Sequence, residues 1–192
     1  VKQGGALTTD GTYLYALQGD GKTGFYRCNA TTTGSAGSCD TSWTVRASTP
    51  QNVKWGGALT RVGNYIYAFR GDGKTDFWRY DIAANTWSSM TPAPGNVGDG
   101  GALTTDGSNY IYALQGKTKV FWRYDIAANS WSTLNAANFT GNVGQGGALV
   151  YVPASNPQGR LTTLVATPSL VATGDQVNVT LRLVSDSPVS NV

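Results

Sequence analysis

An all-β fold of repeated four-stranded units is what this 192-residue sequence predicts, and three observations predict it. GGALT begins at Gly4, Gly56 and Gly100, and GGALV begins at Gly146, so one segment recurs after 52, 44 and 46 residues. Within each interval aromatic runs follow in a fixed order: Tyr13-Leu14-Tyr15, Tyr65-Ile66-Tyr67 and Tyr110-Ile111-Tyr112, then Phe25-Tyr26-Arg27, Phe77-Trp78-Arg79 and Phe121-Trp122-Arg123, then Trp43, Trp87 and Trp131. The composition agrees. With 25 Gly, 11% aromatic and only 13% charged residues, the chain suits short strands and tight turns better than helices.

Each unit divides into four strands. GGAL is small and apolar, as an inner strand must be where backbones crowd together. YIYAF and FWRYDI are β-prone aromatic runs. The Trp-bearing strand is shorter and more polar, fitting an outer edge. Turn signals separate them: Asp10-Gly11 and Asp106-Gly107, then GDGKT, then Ala84-Asn85, then Pro92-Ala93-Pro94-Gly95. Four antiparallel strands at this period describe blades of a β-propeller, three complete over residues 1–152 with the first strand of a fourth near Gly147 to Val152.

These residues resemble the kelch repeat, whose pattern sets a Tyr and a Trp with six residues between them. Tyr80 and Trp87, and Tyr124 and Trp131, have that spacing. The glycine pair of the pattern is degenerate here, as Gln18-Gly19, Arg70-Gly71 and Gln115-Gly116. In the first unit Cys28 stands in the Tyr position, and fourteen residues rather than six precede Trp43. The resemblance covers residues 4–152 and implies a propeller of an extracellular or cell-surface protein.

GDGKT, at Gly19 to Thr23 and Gly71 to Thr75, with a shortened GKT at Gly116 to Thr118, looks like the end of a phosphate-binding loop. Such a loop needs a Gly five positions earlier and a following helix. Ala16, Ala68 and Ile111 occupy those positions and a strand follows, so the motif is expected to be a hairpin turn.

The repeat separates scaffold from site. Arg27, Arg79 and Arg123 recur and are expected to be structural, ion-paired or stacked between blades, and the Tyr and Trp set to pack blade on blade. A platform for sugar rings is the alternative for the aromatics. Residues that break the repeat fall on one face, with the second-to-third-strand turns and the links into each GGAL: Asp20, Lys22, Asp72, Lys74, Lys117 and Lys119. Arg70 stands there in place of Gln18 and Gln115, and the residue before each glycine pair varies as Gln3, Trp55, Asp99 and Gln145. Variable loops on a repetitive frame are where partners dock. Trp55 is either an anchor for a glycan or protein, or a plug over the channel mouth.

Several chemistries are disfavoured. The chain has no His and no Glu, so no Ser-His-Asp or Cys-His relay can be built, and metal and cofactor sites are not expected. A glycosidase pair is unmarked among the Asp residues. The net charge of +3 is scattered, which argues against nucleic acid, and no apolar run is long enough to span a membrane. Cys28 and Cys39, inside the one expanded hairpin, are expected to form a disulfide. With sequons at Asn29, Asn138 and Asn178, this points to an exported chain.

Residues 153–161 are turn-rich and are expected to be a linker. Residues 162–192 alternate apolar and polar side chains, with Val177, Val179, Leu181 and Leu183 on one face. They resemble the opening strands of an immunoglobulin-like module, and are also the expected donor of a strand to an open blade edge. The functional expectation is a non-enzymatic structural or adhesive module whose partners are other protein chains. A carbohydrate-binding propeller is the alternative, and a sugar-processing enzyme comes third.

Overall fold

The computed structural model describes residues 3–31, 33–34, 37–134 and 141–152. The chain divides into two compact units, Val1–Tyr151 and Val152–Val192. The expected linker, the immunoglobulin-like strands and the sequons Asn138 and Asn178 lie outside the described residues.

Twelve strands are described: β1 (Ala6–Thr9), β2 (Tyr13–Leu17), β3 (Phe25–Asn29), β4 (Thr44–Val45), β5 (Ala58–Val62), β6 (Tyr65–Phe69), β7 (Phe77–Asp81), β8 (Thr86–Ser89), β9 (Ala102–Thr105), β10 (Tyr110–Leu114), β11 (Phe121–Asp125) and β12 (Ser130–Leu134). They form three antiparallel four-stranded sheets, β1-β2-β3-β4, β5-β6-β7-β8 and β9-β10-β11-β12, arranged like propeller blades that do not close a ring. Gly147 to Val152, expected to begin a fourth blade, joins no sheet among the described residues. A blade's first strand pairs with its second, as β1 does with β2, and no second strand of a fourth blade lies among the described residues.

Register repeats from blade to blade. Tyr15 pairs with Arg27, Tyr67 with Arg79 and Tyr112 with Arg123. Because side chains alternate across a strand, one face of each sheet carries the Tyr-Phe pair and the other carries the Leu, Ala and Trp positions. The Tyr-Phe face of one blade packs on the Trp face of the next. Phe25 meets Tyr80 at 4.9 Å and Trp87 at 5.1 Å, and Phe77 meets Tyr124 and Trp131, each at 4.9 Å. The aromatic set therefore packs blades together, as its recurrence predicts. Edge-to-face pairs of this kind add roughly 0.5–1.5 kcal/mol beyond area burial.

The arginines correct the sequence reading. Arg27, Arg79 and Arg123 do not stack between blades. Each guanidinium lies over a Tyr of its own sheet, 4.2 Å above Tyr13, 4.4 Å above Tyr65 and 4.5 Å above Tyr110. Tyr13 pairs with Asn29, so Arg27 is its diagonal neighbour on the same face, within reach of a cation–π contact.

The glycine pairs explain the inner strands. Gly4, Gly56 and Gly100 have φ of 77°, 82° and 85°, and a Cβ on any of them would collide with a backbone carbonyl of the following link, at Lys54, Gly98 and Gly144 respectively. Only glycine lets adjacent blades approach this closely at the axis.

The GDGKT segments are hairpin turns, as expected, with Asp20, Asp72 and Lys117 at φ of 56°, 59° and 58°. They also clasp the next blade. Lys22 forms a backbone bridge with Val53, and Lys74 with Val97. In the third unit the N–H of Val143 donates to the carbonyl of Thr118 at 2.9 Å. Val53 and Val97 are buried beneath these clasps.

At the opposite end of the blades the DIAAN turns hold a second set of links. Asn85 and Asn129 have φ of 56° and 49°. Their Oδ1 atoms accept from the backbone N–H groups of Ala47 and Thr91 in the preceding blade, each at 3.0 Å. Trp87 and Trp131 return the contact, donating from Nε1 to the carbonyls of Ala47 and Thr91. The expanded hairpin of the first blade carries the disulfide between Cys28 and Cys39, eleven positions apart.

Candidate functional site

The clasps fix where the variable residues sit. Each link runs through its Val to the glycine pair, and in the first two blades the residue before that pair is held by the turn of its own blade. Asp20 N–H donates to the carbonyl of Gln3 and Asp72 N–H to that of Trp55, each at 2.8 Å. Backbone tethering leaves the side chains free to differ. The residues at this position, Gln3, Trp55, Asp99 and Gln145, of which Trp55 and Asp99 depart from the Gln of the other two, converge with their glycines on one cleft of about 200 Å³ at the axis.

A second cleft of about 330 Å³ adjoins it, sharing Trp55 and Asp99 and lined also by Asp72, Asn96, Gln115 and Lys117. Trp55 is exposed between the two and donates from Nε1 to Gln3 Oε1. Lys54 Nζ lies 5.9 Å from the centre of the Trp55 ring and 3.5 Å from Asp72. Lys117 pairs with Asp99 at 3.2 Å. The mouth is thus an exposed indole among side-chain amides and lysine-countered carboxylates.

Of the residues expected to form this face, Trp55, Asp72, Asp99, Lys117 and Gln145 line the two clefts. Arg70 is otherwise engaged. It pairs with Asp76 at 3.1 Å and donates from Nε to the carbonyl of Asn52 at 3.2 Å. Lys22 and Lys74 hold the clasps through their backbones, and Asp20 tethers Gln3. Asn29 ends β3, and its Oδ1 accepts from the N–H and hydroxyl of Thr31 at 3.0 and 2.8 Å.

Two contributors were missed in the sequence. Lys54 counters Asp72 and reaches toward Trp55; its position runs Lys2, Lys54, Gly98 and Gly144 along the chain, a departure from the repeat that marks it. The Asn-Val dipeptide at Asn52-Val53, Asn96-Val97 and Asn142-Val143 repeats three residues before each glycine pair, a signal that was available.

No family model and no curated protein matches the chain. Solved structures do: 103 chains match, among them one described as "Structure of YjhT", at 16% identity and a TM-score of 0.60. That match covers 72% of this chain and 53% of the other, so this chain spans about half the length of that structure. At this identity the likeness shows a shared fold.

Proposed function

We propose that the chain is a non-enzymatic structural or adhesive module of kelch-like propeller blades, belonging to a larger extracellular surface protein or filamentous assembly. One observation carries the reading. The recurring polar side chains hold blade to blade, while the residues that break the repeat gather at one mouth. A repetitive frame with variable residues gathered at one mouth suits the presentation of a contact surface. The Cys28–Cys39 disulfide supports an oxidising compartment. Among the described residues no helix is long and apolar enough to cross a membrane. Lys54 and Lys117 pair with Asp72 and Asp99 beside this mouth.

Exposed Trp55 beside Gln3, Asp99 and Gln145 favours a second reading, a carbohydrate-binding propeller. An indole takes the apolar face of a sugar ring while amides and a carboxylate take its hydroxyls.

Antibody labelling of intact, unpermeabilised cells is expected, and labelling only after permeabilisation overturns the extracellular assignment. Glycan-array binding abolished by Trp55→Ala selects the carbohydrate reading over the purely structural one. Turnover of a sugar substrate that Asp99→Asn removes overturns both.

A further inference from the structure

Two faces of the blade stack are open among the described residues, and they are the two halves of a single kind of interface. On the first sheet Leu7, Ala16, Tyr26 and Val45 form a cross-strand row over all four strands. The equivalent rows begin Leu59-Ala68-Trp78 and Leu103-Ala113-Trp122, and are buried against the preceding blade. Leu59 and Leu103 are each 7% exposed, whereas Leu7 is 55%, Trp43 42% and Val45 69% exposed. Trp43 precedes Thr44–Val45 as Trp87 precedes Ser88 and Ser89, so it is the Trp of this open face. A cleft of about 400 Å³ lies along the row, lined by Leu7, Ala16, Leu17, Gln18, Tyr26 and Trp43.

The third sheet presents the other half. Tyr112 and Phe121 are stacked at 6.0 Å, like Tyr15 on Phe25 at 6.0 Å and Tyr67 on Phe77 at 5.7 Å. Those earlier pairs are fully buried under the Trp face of the next blade. Tyr112 and Phe121 remain half-buried, with the exposed Tyr151 ring stacked on Tyr112 at 6.0 Å.

We propose that these faces dock on each other between copies of the chain, the Trp43 face of one copy seating on the Tyr112–Phe121 face of a second. The same pairing of faces occurs twice within the chain, between the first and second blades and between the second and third. A second copy therefore carries a surface already matched in strand spacing, twist and side-chain relief. In the docked state Trp43 lies against Phe121 as Trp87 lies against Phe25. The contact is heterologous, so it either closes or polymerises. Closed propellers typically have 4–8 blades. With three blades among the described residues of each copy, two copies bring six such blades together, within this range. The first blade lacks the Tyr and DIAAN Asn that link the inner blades, having Cys28 in the Tyr position. Docking is accordingly weaker than the internal interfaces and depends on concentration.

The proposal rests on the reading of the chain as a structural module, and its test is the mass of the full 192-residue chain by light scattering, from micromolar to near-millimolar concentration. Twice the chain mass is expected at the upper end. Leu7→Lys and Val45→Lys alter side chains already exposed in one copy, so near-UV circular dichroism stays unchanged while pairing weakens by at least about tenfold. Phe121→Lys acts likewise from the other face, and Tyr151→Asp replaces it if Phe121→Lys loses its near-UV signal. Mixing a Leu7→Lys chain with an acceptor-face variant restores a pair through the one intact interface, as only a head-to-tail contact allows. A wild-type chain monomeric throughout overturns the proposal, as does a pair insensitive to either face. Pairing lost in Val179→Lys but kept in Leu7→Lys overturns it in favour of strand donation by residues 162–192. A monomer without turnover sinks the pairing alone, and a pair with Asp99-dependent turnover sinks the module reading alone.

Discussion

Asn85 Oδ1 accepts from the backbone N–H of Ala47 at 3.0 Å, across a separation of 38 residues and from one blade to the one before it. The same oxygen accepts from the Tyr80 hydroxyl at 2.7 Å, and that hydroxyl accepts from Arg46 Nε at 3.0 Å. A turn residue that the sequence marks only as a bend is therefore the hub of an inter-blade polar network.

Asn85→Ala should destabilise the chain by roughly 2–3 kcal/mol. It removes an acceptor shared by two donors and leaves an alanine at φ 56°, without the short polar side chain by which Asn tolerates the left-handed region. Asn85→Gly loses the same bonds without the strain and should cost about 1 kcal/mol less. Chemical denaturation checks both. An effect of Asn85→Ala within about 0.5 kcal/mol of zero would mean the network is worth no more than an ordinary surface contact.

Gly56 and Gly107 have nearly the same φ, 82° and 86°, in different surroundings. A Cβ on Gly56 would overlap the Gly98 carbonyl, while one on Gly107 meets nothing within 4 Å. Gly107→Ala should cost about 1 kcal/mol of backbone strain. Gly56→Ala should cost at least about 2 kcal/mol more, because the blades must part at the axis. Equal midpoints for the two variants in a denaturation series would remove close approach as the reason for the glycine pairs.

The blades were legible in the sequence because every residue that packs one blade on the next must recur with each blade. Tyr67, Phe77, Tyr124 and Trp131 are visible in the repeat for that reason. The Asn85 network was not, because its far partner is a backbone amide, which leaves no trace in the identity of Ala47 or Thr91. The Arg27–Tyr13 stack was legible in principle from strand alternation, but it needs the register, and register depends on where the GDGKT turn reverses the chain. At the mouth, Trp55, Asp99 and Gln145 could be singled out because they break a repeat. The Trp55–Gln3 contact could not, since it joins side chains that only the stacking of two blades brings together.

Reducing the Cys28–Cys39 disulfide should lower stability by about 3 kcal/mol, the loop-closure value for a crosslink of this length. The bridge spans the hairpin that departs most from the repeat, where the Cys39 N–H also donates to the carbonyl of Asn29 at 3.2 Å. Denaturation with and without reductant, against a Cys28→Ser and Cys39→Ser double variant, checks this. Reduction should leave the second and third blades assembled, because neither contributes to the bridge. Loss of the near-UV signal of their aromatic cluster at native temperature on reduction alone would contradict it.

Alkaline pH should unfold the chain through its buried tyrosines. Burial, reinforced by the hydrogen bond to Asp10, pushes Tyr15 up to about 12. Burial, with the nearby Tyr67 adding to it, pushes Tyr124 up to about 12. The ordinary tyrosine value is 10.0. The folded-state values are raised, so the unfolded chain releases these protons first. Stability is therefore fully present below pH 10 and is lost as pH climbs toward 12. Asp10 does not share that dependence. Its partial burial is outweighed by hydrogen bonds from Tyr13, Thr12 and Tyr15, which hold its carboxyl below the usual range, so its contribution falls away only in acid. Denaturation midpoints measured from pH 9 to 12, with tyrosinate absorbance followed in parallel, should show a falling midpoint and a fraction of tyrosines that ionises only on unfolding. A Tyr15→Phe and Tyr124→Phe double variant should flatten the slope while lowering stability at neutral pH, because Tyr15 loses its bond to Asp10 and Tyr124 its 2.6 Å bond to Asn129. A midpoint independent of pH up to 12, or tyrosines that all ionise near 10 in the folded chain, would show that the inter-blade aromatic faces admit water.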